Sequence, residues 1–479
     1  MRFSLTTIVK AVTVLTAVGG VDAFWRMPCR SRSGLARIDP LMNNGTVSPH
    51  AHSIFGSSGF GESSAYNDLA AGDCTSCGVT QDKSAYWTPT LHFKSASGEF
   101  TLVDQVGGML SYYLLYPNSD SPNVTAFPPG FQMIAGDTYQ RNFSYPIPDV
   151  DKSNWTGNLS SQAFLRQAAI GMNCLNYQRP PEGSLYRHFL PDKAYLDANC
   201  ADGIRAELMF PSCWNGKDLD SPNHKDHVAY PNLVMTGDCP PDYPIRLVSL
   251  FYESIWNTAA FIGQDGEFVF SNGDPTGCGY HGDFIMGWDE KFLQDAVNKC
   301  TNPSGQIQDC PLFTIQSDDD AAKCQIDVPA ALQNEKIAGP STSLPGNVVI
   351  ANGPGYAQEI QEGRATATAS PAAQPATLSY SAGAVASSGT FMPGNVFYAT
   401  TASAASPTLT KPGGNVNAVV IPTDTVSFFS TAYETSGHTV KEIFMVEETV
   451  TISIGTTTTV TIPAPTVSAA KHKRHGHQH

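Results

Sequence analysis

Neither cysteine nor tryptophan occurs after Cys324, although the chain runs on to residue 479. A packed, cross-linked core is therefore expected only in the first two thirds. Beyond the extreme N-terminus no segment approaches the roughly 20 consecutive apolar residues that span a bilayer, which excludes an ordinary membrane helix. The last residues, AAKHKRHGHQH, lack the hydrophobic tail of a lipid-anchor signal. Basic charge is scarce as well: 28 Lys and Arg stand against 43 Asp and Glu, a formal net charge of -15. Residues 1–330 hold 21 basic and 35 acidic side chains, so the part able to fold offers no basic face for nucleic acid. There is no HExxH, no second CxxC, no phosphate-binding loop and no G-x-S-x-G elbow, which sets aside the commonest metalloprotease, zinc-ribbon, nucleotidase and serine-hydrolase plans.

What is present begins with a leader. Arg2, the apolar run Ala11–Val18 and the small-residue end Val21-Asp22-Ala23 read as a signal peptide over residues 1–23, so the mature chain starts near Phe24. Export agrees with five N-glycosylation sequons, at Asn44, Asn123, Asn142, Asn154 and Asn158. It also makes disulfides the expected state of the eleven cysteines, with one left over. The CxxC at Cys74 and Cys77 has no thioredoxin-like helical context and reads as structural.

From about residue 331 the composition turns to Ala, Ser, Thr, Pro and Gly, too poor in large apolar groups to offset the entropy of ordering. This is the expected stalk, residues 331–479, with a His/Lys/Arg-rich end; its Thr- and Val-rich runs between Val419 and Val460 alternate like strands and can also pair locally. In the folded part, residues 24–330, only 160–174 and 289–300 have helical periodicity. Short apolar runs such as GMLSYYLLY, PIRLVSLFYE and GEFVFSNGD alternate with Pro, Gly and Asn. The expected fold is mainly β, a β-sandwich-like domain with long disulfide-braced loops and a few short helices.

Seven of the twelve histidines lie in that domain, and five of the seven fall in three polar segments. The first is SPHAHSIFGSSGF, where His50 and His52 are two residues apart and share one side of an extended strand. The second, residues 210–231, carries His224 and His227 with Asp218, Asp220 and Asp226. The third, residues 271–290, carries Asp274, His281 and Asp283. Imidazole and carboxylate are ordinary ligands for zinc or copper, so His50, His52, His224, His227, His281 and Asp283 form a candidate set for one divalent metal that activates water. The plainer alternative is that these histidines brace irregular loops by hydrogen bonding. Carboxylates able to do acid–base work are Asp220, Asp226, Glu253 and Asp283, and a sugar-stacking surface can be drawn from Trp87, Trp214, Tyr280 and Trp288, with Tyr86 beside them; these aromatic residues can equally fill the core.

The segments FWRMPCR, LARIDPL, SPHAHSIFGSSGF, CTSC, SAYWTP, FPSCWNG, HKDHVAYP and SNGDPTGCGYHGDFIMGW, in this order over residues 24–305, resemble a family of secreted fungal proteins with a domain of unknown function. Members of that family often carry a WSC carbohydrate-binding module; here the Ser/Thr-rich tail stands in its place. The resemblance implies a filamentous-fungal, secreted or wall-associated protein whose partner is cell-wall polysaccharide. It assigns no reaction. The expectation at this point is a wall protein that binds or acts on polysaccharide through a His/Asp-lined pocket, or else a non-catalytic structural or adhesion protein.

Overall fold

The structure, a computed structural model, describes residues 23–358 and, in a second unit, four strands between residues 418 and 454. The expected signal peptide lies outside the described residues, apart from its last alanine. Among the described residues no helix is long and apolar enough to cross a membrane.

The first unit is built from antiparallel strands, five short α-helices and five disulfides. Its centre consists of two five-stranded sheets. Ten strands make them: β1 (Phe24–Cys29), β2 (Gly34–Ala36), β3 (His52–Gly56), β4 (Ala85–Pro89), β5 (Gln105–Leu114), β6 (Gln132–Gly136), β7 (Ile170–Cys174), β8 (Ile204–Met209), β9 (Ser249–Trp256) and β10 (His281–Ile285). One sheet runs β1-β5-β9-β8-β7 and the other β2-β3-β4-β10-β6.

The sheets pack face to face. Period-2 alternation sends Trp25, Met27, Tyr113, Leu250, Tyr252 and Leu208 inward from the first sheet, and Phe55, Tyr86, Phe284, Met133 and Ala135 inward from the second, into one apolar cluster. Two polar contacts lie in this layer: the Tyr86 and Tyr113 hydroxyls are 2.6 Å apart, and the Tyr252 hydroxyl donates to the Asp283 carbonyl at 2.9 Å. Gly282 is required here, because a Cβ at that position would stand 2.6 Å from Leu208 and 3.2 Å from the Tyr252 ring.

The outer face of the second sheet presents His52, Ile54, Trp87, Ile134, His281, Asp283 and Ile285, the alternate residues of the same strands. Ile38, Leu41, Phe60, Leu69, Ile326 and Leu332 cover it. The packed chain continues past the compositional boundary at residue 330. Leu344 and Val348 bury against Phe100 and Val269, and Glu335 pairs with Arg37 at 2.8 Å. Residues 326–358 thus form a strap that starts on this outer layer and continues over a separate three-stranded sheet, which carries Phe100 and Val269.

The helical expectations resolve into Gln162–Ala168, capped by Ser161, and Glu290–Lys299, capped by Asp289; the second half of segment 160–174 is strand β7. Cys74 and Cys77 are both oxidised, but to different partners, Cys324 and Cys29, and Cys278 is the free thiol. In the second unit, Ser427–Ser436 pairs with Thr439–Glu447 and Ala418–Val420 with Ile452–Ile454, so strands occur in the Thr- and Val-rich runs; residues 359–417 and the His-rich end lie outside the described residues.

Candidate metal centre

His52 opens β3 and His281 opens β10, on the same face of the sheet, while His50 sits two residues before β3. Strand geometry therefore delivers two of the imidazoles to one place, and the bend before β3 brings His50 to them. The His50 and His52 ring centroids are 4.3 Å apart, those of His50 and His281 5.1 Å, and those of His52 and His281 6.1 Å. One ring nitrogen from each lies within 4.8 Å of the other two. The three residues are 4 %, 0 % and 2 % exposed, so the group is enclosed.

The third polar segment sets the tautomer of His281. Asp274 accepts from the Thr276 amide and hydroxyl and from the Gly279 amide, at 2.6–2.8 Å, and this pins the loop before β10. The Gly279 carbonyl then accepts the His281 Nδ1 proton at 3.0 Å. Nε2 of His281 is left with its lone pair, 3.1 Å from His50 Nε2. A histidine that ligates a metal characteristically donates its other ring N–H to a carbonyl or carboxylate, as here.

Burial keeps all three rings neutral. It pushes His50 and His52 well below the usual imidazole range, helped by the neighbouring rings, and lowers His281 to about 4. Neutral imidazole is the form that binds metal. The donor set fits an ion on two further counts. His52 retains a buried ring nitrogen for the ion, and a shared cation would take up its lone pair. Two nitrogens at zinc-bond distance from one tetrahedral ion stand about 3.3 Å apart, close to the His50–His281 separation.

Next to the imidazoles lies a carboxyl pair. Asp283, two residues along β10, is buried with both oxygens unpartnered, and burial together with the charge of Asp39 raises it well above the carboxylate range. Asp39 accepts from the Leu41 and Met42 amides, yet burial still pushes it up to about 6. Two buried acids whose charges oppose one another favour keeping a proton on one of them. Lys225 faces the pair, its Nζ donating to the Gly136 carbonyl at 2.8 Å. Asp39 stands in LARIDPL, and its sequence signal was only an acid following a short alternating stretch.

The other nominated residues are held elsewhere. His224, in left-handed backbone (φ 55°), donates Nδ1 to Asp220 at 2.7 Å, and Asp220 also accepts from the Gln132 amide. His227 bonds Ser221 and the Gln132 carbonyl. Both brace the 220s loop against edge strand β6 rather than joining the three-histidine group. Glu253 lies on the outer face of the first sheet, directly opposite Glu207, with Arg205 between them. Trp87, Tyr280 and Trp288 are each fully buried, whereas Trp214 is half-buried, its indole donating to the Asp218 carbonyl.

Comparison of the chain with family models places residues 39–288 in the domain of unknown function DUF1996. The chain belongs to this family. The DUF1996 region includes all three histidines, Asp39 and Asp283, and it ends at Trp288, before the strap begins. No curated protein and no solved structure matches the chain.

Proposed function

We propose that the protein is an extracellular, N-glycosylated fungal cell-wall component whose DUF1996 domain holds one divalent metal, zinc or copper, on His50, His52 and His281, and that wall polysaccharide is its target. The observation carrying the metal assignment is the convergence of three neutral, buried imidazoles, one with its tautomer fixed by a backbone carbonyl. The location is supported by the leader, by five disulfides and by the exposure of all five sequon asparagines.

A bound divalent ion supplies Lewis acidity and, where water reaches it, an acidified water. The chain's own residues do the rest. Gly279 orients His281, and Asp39 and Asp283 retain a proton a short way along the same face. Because the imidazoles are enclosed, an ion held by His50, His52 and His281 would join β3, β10 and the His50 segment, and polysaccharide would be engaged from the surface.

The test uses the full chain with His472, His475, His477 and His479 changed to Ala, so that the tail captures nothing. Elemental analysis should find about one metal per chain. His281→Asn should remove at least nine tenths of it while near-ultraviolet circular dichroism is retained. Absence of metal from protein prepared without chelators would discard the assignment. The alternative, a metal-free brace, draws on the His50–His281 distance, which also suits an N–H···N hydrogen bond. Sedimentation with insoluble wall glucan or chitin tests the target; no co-sedimentation with either removes it.

A further inference from the structure

A second site lies away from the histidines, where the ends of β1 and β5 meet the segment before β2. Arg30, Ser31, Arg32, Gln105, Gly108 and Gln325 line a cleft of about 340 Å³ there, within the range of small-molecule sites. In a chain of formal charge -15 it carries two guanidiniums. Disulfides fix its rim: Cys29, next to Arg30, is tied to Cys77, and Cys324, next to Gln325, to Cys74. The Gln325 amide donates to the Arg32 carbonyl at 3.1 Å, which locks the two sides together.

Its wall contains polar groups left unused by the protein. Nη1 of Arg32 and both amide atoms of Gln105 are buried without hydrogen-bond partners. Arg32 and Gln105 both line the cleft, so these atoms are the donors and the acceptor its wall can offer a ligand. Burial lowers Arg32 somewhat but leaves it a cation, opposed only by Asp104. Arg30 has Asp318 at 3.7 Å. Asp318 and Asp104 are both exposed and offset their guanidiniums only in part, so the cleft keeps a modest positive character that suits a single negative charge.

We propose that this cleft binds a carboxylated sugar of the uronic-acid type, the guanidinium fork of Arg32 taking the carboxylate and the Gln105 amide, donor and acceptor at once, taking ring hydroxyls. The site extends the polysaccharide reading but uses none of the metal centre, so metal analysis and sugar binding fail or succeed separately.

The experiment is calorimetric titration of the full chain with D-glucuronate, D-glucose and inorganic phosphate, each up to about 20 mM, a range that reaches millimolar dissociation constants. Glucuronate should bind, with glucose and phosphate at least tenfold weaker. Arg32→Gln should weaken glucuronate at least tenfold with an unchanged melting curve, and Gln105→Ala should do so several-fold. Should Arg32→Gln unfold the protein, Arg30→Gln, at a more exposed position, serves instead, with a loss of at least threefold. No glucuronate binding, phosphate binding equal to or tighter than glucuronate, or glucuronate binding indifferent to these substitutions overturns the proposal.

Discussion

Asp82 shows how a single side chain can set the pH response of the core. It is fully buried between the sheets, accepting from the Ser84 amide at 2.9 Å and from the Tyr86 hydroxyl, and burial pushes it up to about 6. Its folded pKa lies above the unfolded value of 3.8, so its contribution is fully present below pH 3.8 and is lost as pH rises through 6. The loss amounts to about 3 kcal/mol. Asp82→Asn keeps the acceptor for Ser84 and abolishes the titration. Urea denaturation at pH 4 and pH 7 should show the wild type giving up that stability relative to the variant. An identical pH dependence in both would remove Asp82 from this role. At the same scale, the histidine group was legible because a period of two is a local property: His281 and Asp283 share a side by strand geometry, and His50, in the bend just before β3, still meets His52 at 4.3 Å between ring centroids. The Asp39–Asp283 pair was not, since nothing local distinguishes a buried acid from a solvated one. Nor could composition say which of the tryptophans would end fully enclosed.

Among the elements, β6 and β10 decide whether the histidine group forms. Gly136 ends β6 opposite His281 with φ +79°, and a Cβ there would lie 2.3 Å from the Tyr280 carbonyl. Gly136→Ala should cost about 1–3 kcal/mol through the backbone alone. It should also displace His281, so that metal content drops along with the melting temperature; a variant with full metal content would show that β10 holds His281 without help from its neighbour. Asp289, which caps helix Glu290–Lys299 by accepting from the Phe292 amide at 2.8 Å, provides a contrast: Asp289→Ala should cost about 1 kcal/mol and leave metal binding untouched. The strands and this helix were readable because alternation and amphipathic spacing are carried by their own residues. The order of strands in each sheet was not, since β1 lies beside β5 and β4 beside β10 through contacts remote in sequence.

For the molecule as a whole, the longest covalent link is Cys74–Cys324, spanning 250 residues. Replacing both cysteines by Ser should lower stability by up to about 5 kcal/mol on the loop-entropy account, measurable by chemical denaturation. This pairing could not be read from CTSC, because spacing says nothing of which partner arrives from the far end of the chain. The same link secures the start of the strap. Farther along, Arg37 holds the strap by its ion pair with Glu335 and, through Nη1, the Ser48 carbonyl two residues from His50. Arg141 and Asp137 grip its far end at Ala351 and Tyr356. An ion seated on the histidines beneath this cover would be kinetically trapped: loaded while the chain is still folding, then exchanging with external chelator only as fast as the cover breathes. In the wild type, stripping by a strong chelator should take hours. Glu335→Ala, which releases the middle latch nearest the histidines, should shorten it to minutes, making occupancy a record of the conditions in which the protein was made.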